Sequence, residues 1–399
     1  MASERHVIVA GAGIAGLTSA LTMARAGLRV TVIEQAEKLE ETGAGIQLSP
    51  NASRVLIGLG LRDALAAAAV APHAIRVMAG RSGREIVRIP LADAERVYGA
   101  PFWTIHRGDL QAVLAQAART TQDVTLKLGM RVEDFATHSK GVSVLGRSGR
   151  QVSDERGIAL IGADGIWSSV SGRLGKQRPP RFAHRTAWRA LALAEDVPAE
   201  FRAPFVHLWL GQDAHLVHYP VKGGRLINIV GIVNDEWQEK GWSAAGAREE
   251  VLRHFARWAW SEKVRGLLAI PQRWLKWALY ERRTPFGGGV GPVTLIGDAA
   301  HPMLPFLAQG AGMAIEDAAV LAAFLGRFRD DPADALRGYE GARRPRTERA
   351  QQVSRKQGRI YGLTGPEALL RNIAMRAMGG ERLRARYDWL YSWKPPEQI

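Results

Sequence analysis

Residues 6–34 constrain this chain more than any other stretch. His6-Val7-Ile8-Val9-Ala10 is a short apolar run that reads as a buried strand. Gly11-Ala12-Gly13-Ile14-Ala15-Gly16 follows at once. Leu17 to Ala26 then carries helical spacing, and Arg29 to Glu34 returns as a second strand. The pattern predicts a βαβ unit with a G-x-G-x-x-G turn between strand and helix. Gly11 permits the tight turn, Gly13 lets backbone approach a pyrophosphate, and Gly16 lets helix and strand pack closely. The helix start offers free N–H groups and a positive dipole end to phosphates. Glu34, closing the second strand, can accept hydrogen bonds from a ribose diol. A carboxylate there favours an unphosphorylated ribose, so FAD or NAD.

The rest of the chain narrows the class. Its 399 residues, 46% of them hydrophobic, suffice for a sizeable core and about two to three domains. No apolar run is long enough to span a bilayer, and the N-terminus enters a strand where a signal peptide would need an apolar helix. The chain has no cysteine. That excludes disulfides, thiolate metal sites and a cysteinyl-linked flavin, and it fits a cytoplasmic protein. The net charge of +15 favours anionic ligands. Nucleic acid is not an expected partner: Arg343, Arg344 and Arg346, and Arg382, Arg384 and Arg386, have helix-face spacing without a recognition module. No metal-ligand motif is present. A membrane is not an expected partner either, and monomer and homodimer both stay open.

Strand patterns recur at 76–97, 124–132 and 142–145, with a helix over 106–120 between them. Residues 181–284 are strand-rich and Trp-rich. There Phe205 to Leu210, His215 to Tyr219 and Arg225 to Val233 read as strands, and 246–260 as a helix. Val293 to Ile296 returns as a buried strand, and 310–327 and much of 334–390 read as helical. The expected fold is α/β. A discontinuous Rossmann-type FAD-binding domain (1–75, 98–180 and 285–340) carries an inserted antiparallel-sheet substrate domain (76–97 and 181–284). A C-terminal helical region (341–399) follows.

A second glycine segment bears on the choice between FAD and NAD. Gly297-Asp298-Ala299-Ala300-His301-Pro302 sits at a strand end, where Asp298 can accept a ribityl hydroxyl. Gln309-Gly310-Ala311-Gly312 then opens a helix that would aim N–H groups at the flavin pyrimidine edge. GDAAHPMLPFLAQGAGMAIEDA resembles the second FAD motif of the class A flavoprotein aromatic hydroxylases. The likeness is to the salicylate hydroxylase, 3-hydroxybenzoate 6-hydroxylase and 6-hydroxynicotinate 3-monooxygenase branch, and it runs over nearly the whole chain. GAGIQLSPN at 43–51 is similar to the stretch beside the isoalloxazine. His106-Arg107-Gly108-Asp109-Leu110 resembles the element whose arginine contacts FAD. Gly162 to Ser169 resembles the motif tied to FAD and reduced pyridine nucleotide. Ser171 stands where that motif usually has arginine. Gln47 stands where the 6-hydroxynicotinate enzymes carry histidine, and Pro305 where the 3-hydroxybenzoate 6-hydroxylases carry glutamine.

The resemblance implies non-covalent FAD bound through Gly11, Gly13, Ala15, Gly16, Glu34, Gly45, Gln47, Arg107, Val132, Asp164, Asp298, Gly310, Ala311 and Gly312. Gln47 and Pro305 would border the substrate. It implies that NADH or NADPH reduces the flavin and that O₂ then gives a flavin C4a-hydroperoxide. That oxidant would hydroxylate a small phenolic or hydroxylated aromatic acid, such as a salicylate-like hydroxybenzoate or a hydroxy-N-heteroaromatic acid. His215-x-x-x-Tyr219, followed by Pro220, resembles the substrate-site strand of this branch, with the histidine as base and the tyrosine hydrogen-bonding substrate or flavin. An imidazole near its ordinary pKa of about 6.5 would suit a phenol. A lone strand histidine is more often a satisfied sheet residue. His218, on the opposite face, and His301, in the glycine loop, read as structural. Arg189 reads as a salt-bridge partner before it reads as a carboxylate ligand. Other readings are an FAD-dependent epoxidase or hydroxylase of a non-aromatic substrate, or a non-catalytic FAD-binding protein. A two-nucleotide reductase would need a second glycine fingerprint, and usually a cysteine pair.

Overall fold

The computed structural model describes residues 5–39, 44–175, 178–238, 243–256, 259–282 and 288–396. Strand β1 (His6–Ala10), helix α1 (Ile14–Arg25) and strand β2 (Arg29–Ile33) form the expected opening unit. β1 is the centre of a five-stranded parallel sheet. β2 and Val124–Lys127 lie on one side, and Ala159–Gly162 and Val293–Leu295 on the other. Val7, Ile8, Val9, Val30 and Val32 are fully buried, as strands covered on both faces must be. Segments almost 300 residues apart therefore meet in one sheet.

A short two-stranded ribbon pairs β3 (Gly45–Leu48) with Trp103–His106. The second large sheet has eight strands, mostly antiparallel. Its middle consists of β4 (Arg181–Leu193), β5 (Ala214–Val221), β6 (Leu226–Asn234) and β7 (Trp274–Glu281), in the order β7-β4-β6-β5. One face of it buries Trp188, Trp209 and Leu216 beneath the helices Arg248–Ala256 and Glu262–Ala269. The other face carries His215, Val217 and Tyr219, because alternate strand residues share a face. Helices α2 (Gly310–Arg327), α3 (Pro332–Tyr361) and α4 (Gly365–Ala385) complete the fold. α1 and α2 touch through Thr22 Oγ1, which donates to the Ala318 carbonyl at 3.0 Å.

Two expectations change. The run 124–132 is two strands, Val124–Lys127 and Arg131–His138, and the second belongs to a separate three-stranded antiparallel sheet. Gly129, at φ 69, lets the chain leave the parallel sheet there. Of the helix expected over 246–260, Arg248–Ala256 is helical, residues 257 and 258 lie outside the described residues, and a further helix starts at Glu262. Among the described residues no helix is long and apolar enough to cross a membrane, and no cluster of acids and histidines could hold a metal.

Candidate active site

A cleft of about 1250 Å³ runs from the glycine turn after β1 to the face of the eight-stranded sheet that carries His215 and Tyr219. Its nucleotide end is lined by Gly11, Gly13, Ala15 and Glu34. Its walls include Gly45, Gln47, Arg107, Val132 and Asp164. Asp298, Pro305, Gly310 and Ala311 close the far side, where His215 and Tyr219 also sit. Fifteen positions singled out from sequence thus converge on one cavity. Gly16 and Gly312 do not line it. A Cβ on Gly16 would fall 1.9 Å from the Gly11 carbonyl oxygen, so its task is close packing of the turn. Gly312 is hemmed in by Gln309 Oε1. Gly43, the first residue of the β3 motif, lies outside the described residues.

Several of these groups brace the cleft as well as lining it. Glu34 accepts the Ala12 and Ala36 N–H groups, both at 2.8 Å, which fixes its carboxylate beside the turn. Gln111 Nε2 donates to the Ala12 carbonyl at 2.9 Å, a contact the sequence did not reveal. Asp164 caps the helix Ser169–Leu174, accepting the Ser169 N–H at 2.7 Å. Asp298 faces the cleft. Desolvation there raises its carboxyl, against the opposing charges of His301, Arg107 and Arg282. His301 Nε2 lies 2.5 Å from Asp317 Oδ2, so this histidine does brace the loop.

The sheet face holds the reactive candidates. His215 is 3% exposed, with its ring 5.4 Å from Phe306 and 5.2 Å from Tyr361. Burial, then the charge of Arg185, pushes its imidazole down to about 3. The expectation of an ordinary histidine therefore fails: an apolar enclosure disfavours the imidazolium, so the ring is neutral throughout the physiological range. Among the described residues nothing hydrogen-bonds to it. Burial also raises the Tyr219 hydroxyl, against the charge of Arg189. His218 faces away and stacks on His207 at 4.3 Å, as a structural residue would. Arg189 departs from its expected role. It forms no salt bridge among the described residues, and it lines the cleft.

The shape fits an extended dinucleotide. A Cβ at Gly13 or at Gly310 would meet nothing within 4 Å, so both helix starts present open backbone to the cleft. Residues 4–354 match the domain family described as FAD binding domain. The chain belongs to this FAD-binding family. Its relatives in the family include 3-hydroxybenzoate 6-hydroxylase 1 of Aquipseudomonas alcaligenes, 37% identical over 99% of both chains. A 3-amino-4-hydroxybenzoate 2-monooxygenase of Streptomyces platensis is 38% identical over 98% of this chain and 96% of its own. Among solved structures, a salicylate hydroxylase substrate complex superposes with a TM-score of 0.81 at 26% identity, over 100% of this chain and 98% of that one. HpxO of Klebsiella pneumoniae, complexed with FAD and uric acid, gives 0.83 at 26%, over 97% and 96%. The chain is a flavoprotein monooxygenase with FAD as its cofactor and NAD(P)H as reductant. The non-catalytic reading is thereby overturned.

Proposed function

We propose that this monooxygenase hydroxylates a small aromatic acid already bearing a ring hydroxyl, and that His215 and Tyr219 hold the hydroxylated end of that ring. The observation carrying this reading is an enclosed, neutral imidazole that faces the cleft with no hydrogen-bond partner among the described residues. The hydroxybenzoate relatives support the substrate class. Bound FAD supplies oxygen activation once NAD(P)H has reduced it. Gly11, Gly13, Ala15, Glu34, Arg107, Asp164, Asp298, Gly310 and Ala311 would hold it, with Gly16 and Gly312 shaping the two turns and Val132, Gly45 and Gln47 bordering it. Pro305 and Gln47 border the ring.

His215 accepts the phenolic proton on its free ring nitrogen, which enriches the ring electronically for attack. A lone imidazolium is disfavoured here, but a phenolate formed beside it pairs the two charges and offsets much of that cost. Tyr219 donates its hydroxyl to the same end. Phe306 and Tyr361 keep water from the imidazole. The reading keeps 1–75, 98–180 and 285–340 as the FAD domain, 76–97 and 181–284 as the substrate domain and 341–399 as a helical cover, a division supported by the two large sheets. The test is a panel of hydroxybenzoates, hydroxynicotinates and simple phenols, scored by oxygen uptake and product identity. We expect NAD(P)H oxidation coupled to a newly hydroxylated ring. Oxidation that no phenol stimulates, with no hydroxylated product, would falsify the proposal.

A further inference from the structure

We propose that Arg189 forms a carboxylate subsite at the edge of the substrate pocket opposite His215. The inference rests on the hydroxylase reading above and adds to it the group that selects acids over neutral phenols. Strand register supplies the geometry. Arg189 on β4 pairs with Val230 on β6, and Val230 pairs with Val217 on β5. Directly paired residues project to the same side of a sheet. Arg189 therefore shares a face with His215, Val217 and Tyr219, two strands away. At about 4.8 Å per strand this is about 10 Å across the sheet. Val217, Val230 and Ile232 form an apolar floor between the two margins, and all three line the cleft. A benzene ring lying on that floor has a hydrogen-bonding pair along one margin and a cation along the other.

The state of the guanidinium points to an anionic ligand. Its Nε is fully buried and unpartnered, and among the described residues no acid or carbonyl pairs with the group. It lies over the Trp277 ring, 4.7 Å from the centroid, which fixes its orientation without neutralising it. Arg107, another cation of the cleft, repels it, whereas Arg107 has Asp298 as a counter-charge. An unpaired buried charge is strongly disfavoured, and most arginines in this position would be salt-bridged. A carboxylate fits this guanidinium best. It matches the planar fork of donors in two parallel hydrogen bonds and relieves the repulsion between the two arginines.

The test is equilibrium binding to the FAD-loaded protein, read from the flavin absorbance spectrum. Phenol and 2-, 3- and 4-hydroxybenzoate are titrated into wild type, Arg189→Gln and Arg189→Lys. Wild type should bind at least one hydroxybenzoate about 10- to 100-fold more tightly than phenol, the range expected of a charge-assisted hydrogen-bond pair. Arg189→Gln should erase that preference while leaving phenol affinity within about threefold. Arg189→Lys should retain part of it, because a point charge replaces the fork; if the Gln variant fails to fold, a several-fold reduction in the Lys variant carries the proposal alone. A preference undiminished in either variant overturns the subsite. So does a wild type that binds phenol and the acids alike. Equal weakening of phenol and acids with a shifted flavin spectrum also overturns it, and assigns Arg189 to the cofactor. Coupled hydroxylation of phenol without preference for acids would remove the subsite and leave ring hydroxylation, with His215 and Tyr219 at the ring hydroxyl, intact. Failure to hydroxylate any phenol would remove that reading, while the titration still reports on Arg189.

Discussion

Two buried polar regions of this molecule hold their charges in opposite ways. Behind the loop 297–309 that carries Asp298 (the flavin loop), Arg343 Nε and Nη1 donate to Asp317 at 2.7 Å and Glu316 at 2.8 Å. Arg346 and Asn51 also donate to Glu316, and His301 contacts Asp317. Each charge in that network has a partner. Across the cleft, His215 and Tyr219 are buried and Arg189 is half-buried with its Nε enclosed, yet none of these side chains is hydrogen-bonded to a described residue. The first region is a clamp: it ties α2 and α3 to the loop that carries Asp298. On the reading proposed above, the second is a receptor that the hydroxyl and carboxylate of the substrate would complete. Burial alone does not tell the two apart; the balance of donors and acceptors does.

The sharpest way to break this comparison is to remove one arginine from each region. Arg343→Met removes the cation that Glu316 and Asp317 share, leaving each buried acid short of a counter-charge. It should destabilise the fold by about 3–5 kcal/mol and loosen FAD. Arg189→Gln strands no acid, so its change in unfolding free energy should stay below about 1 kcal/mol. Equal losses in urea unfolding would erase the distinction.

His215→Ala should leave the yellow cofactor bound and slow oxygen transfer by about 10²- to 10⁴-fold, the usual worth of a positioned base. Single-turnover product formation measures it, and normal rates across pH would remove His215 from the chemistry. Gly45→Ala perturbs the receptor through shape. Its Cβ would sit 2.5 Å from Tyr219 Cε2, and the Gly45 N–H donates to Asn228 Oδ1 at 2.7 Å. Displacing the tyrosine should cost about 1–3 kcal/mol of stability and raise the KM for the aromatic substrate.

Acid separates the regions last. His215 has a folded value near 3, below its unfolded value of about 6.5. The unfolded chain therefore binds the extra proton, and this contribution to stability is lost as pH falls from about 6.5 towards 3. For Asp317, burial raises the carboxyl but the charges of His301 and Arg343 prevail and hold it at about 2. Its contribution is full above about 4 and disappears as pH falls through 2. Stability measured against pH should flatten in the upper window for His215→Ala and in the lower window for Asp317→Asn. Identical profiles would show that neither group governs its window.

The βαβ opening, the glycine turns and the helix over 310–327 were legible because local period and backbone freedom specify them. His215 and Tyr219 were legible as a pair because period two places them on one face. The ionisation of His215 was not, since it depends on Phe306, Tyr361 and Arg185, which come from three other segments. Arg189 was misread for a related reason. A sequence shows that an arginine is present, but only the fold shows that no described acid pairs with it.

The amino-acid sequence by itself determined the class of fold, the two helix starts that would face a dinucleotide and the strand that bears the histidine. These follow from spacing along the chain, which sterics and hydrogen bonding read locally. Tertiary structure alone decided which charges are neutralised and which are left for a ligand. Electrostatic partnership acts through space, so it appears only once β4, β5 and the flavin loop have been brought together.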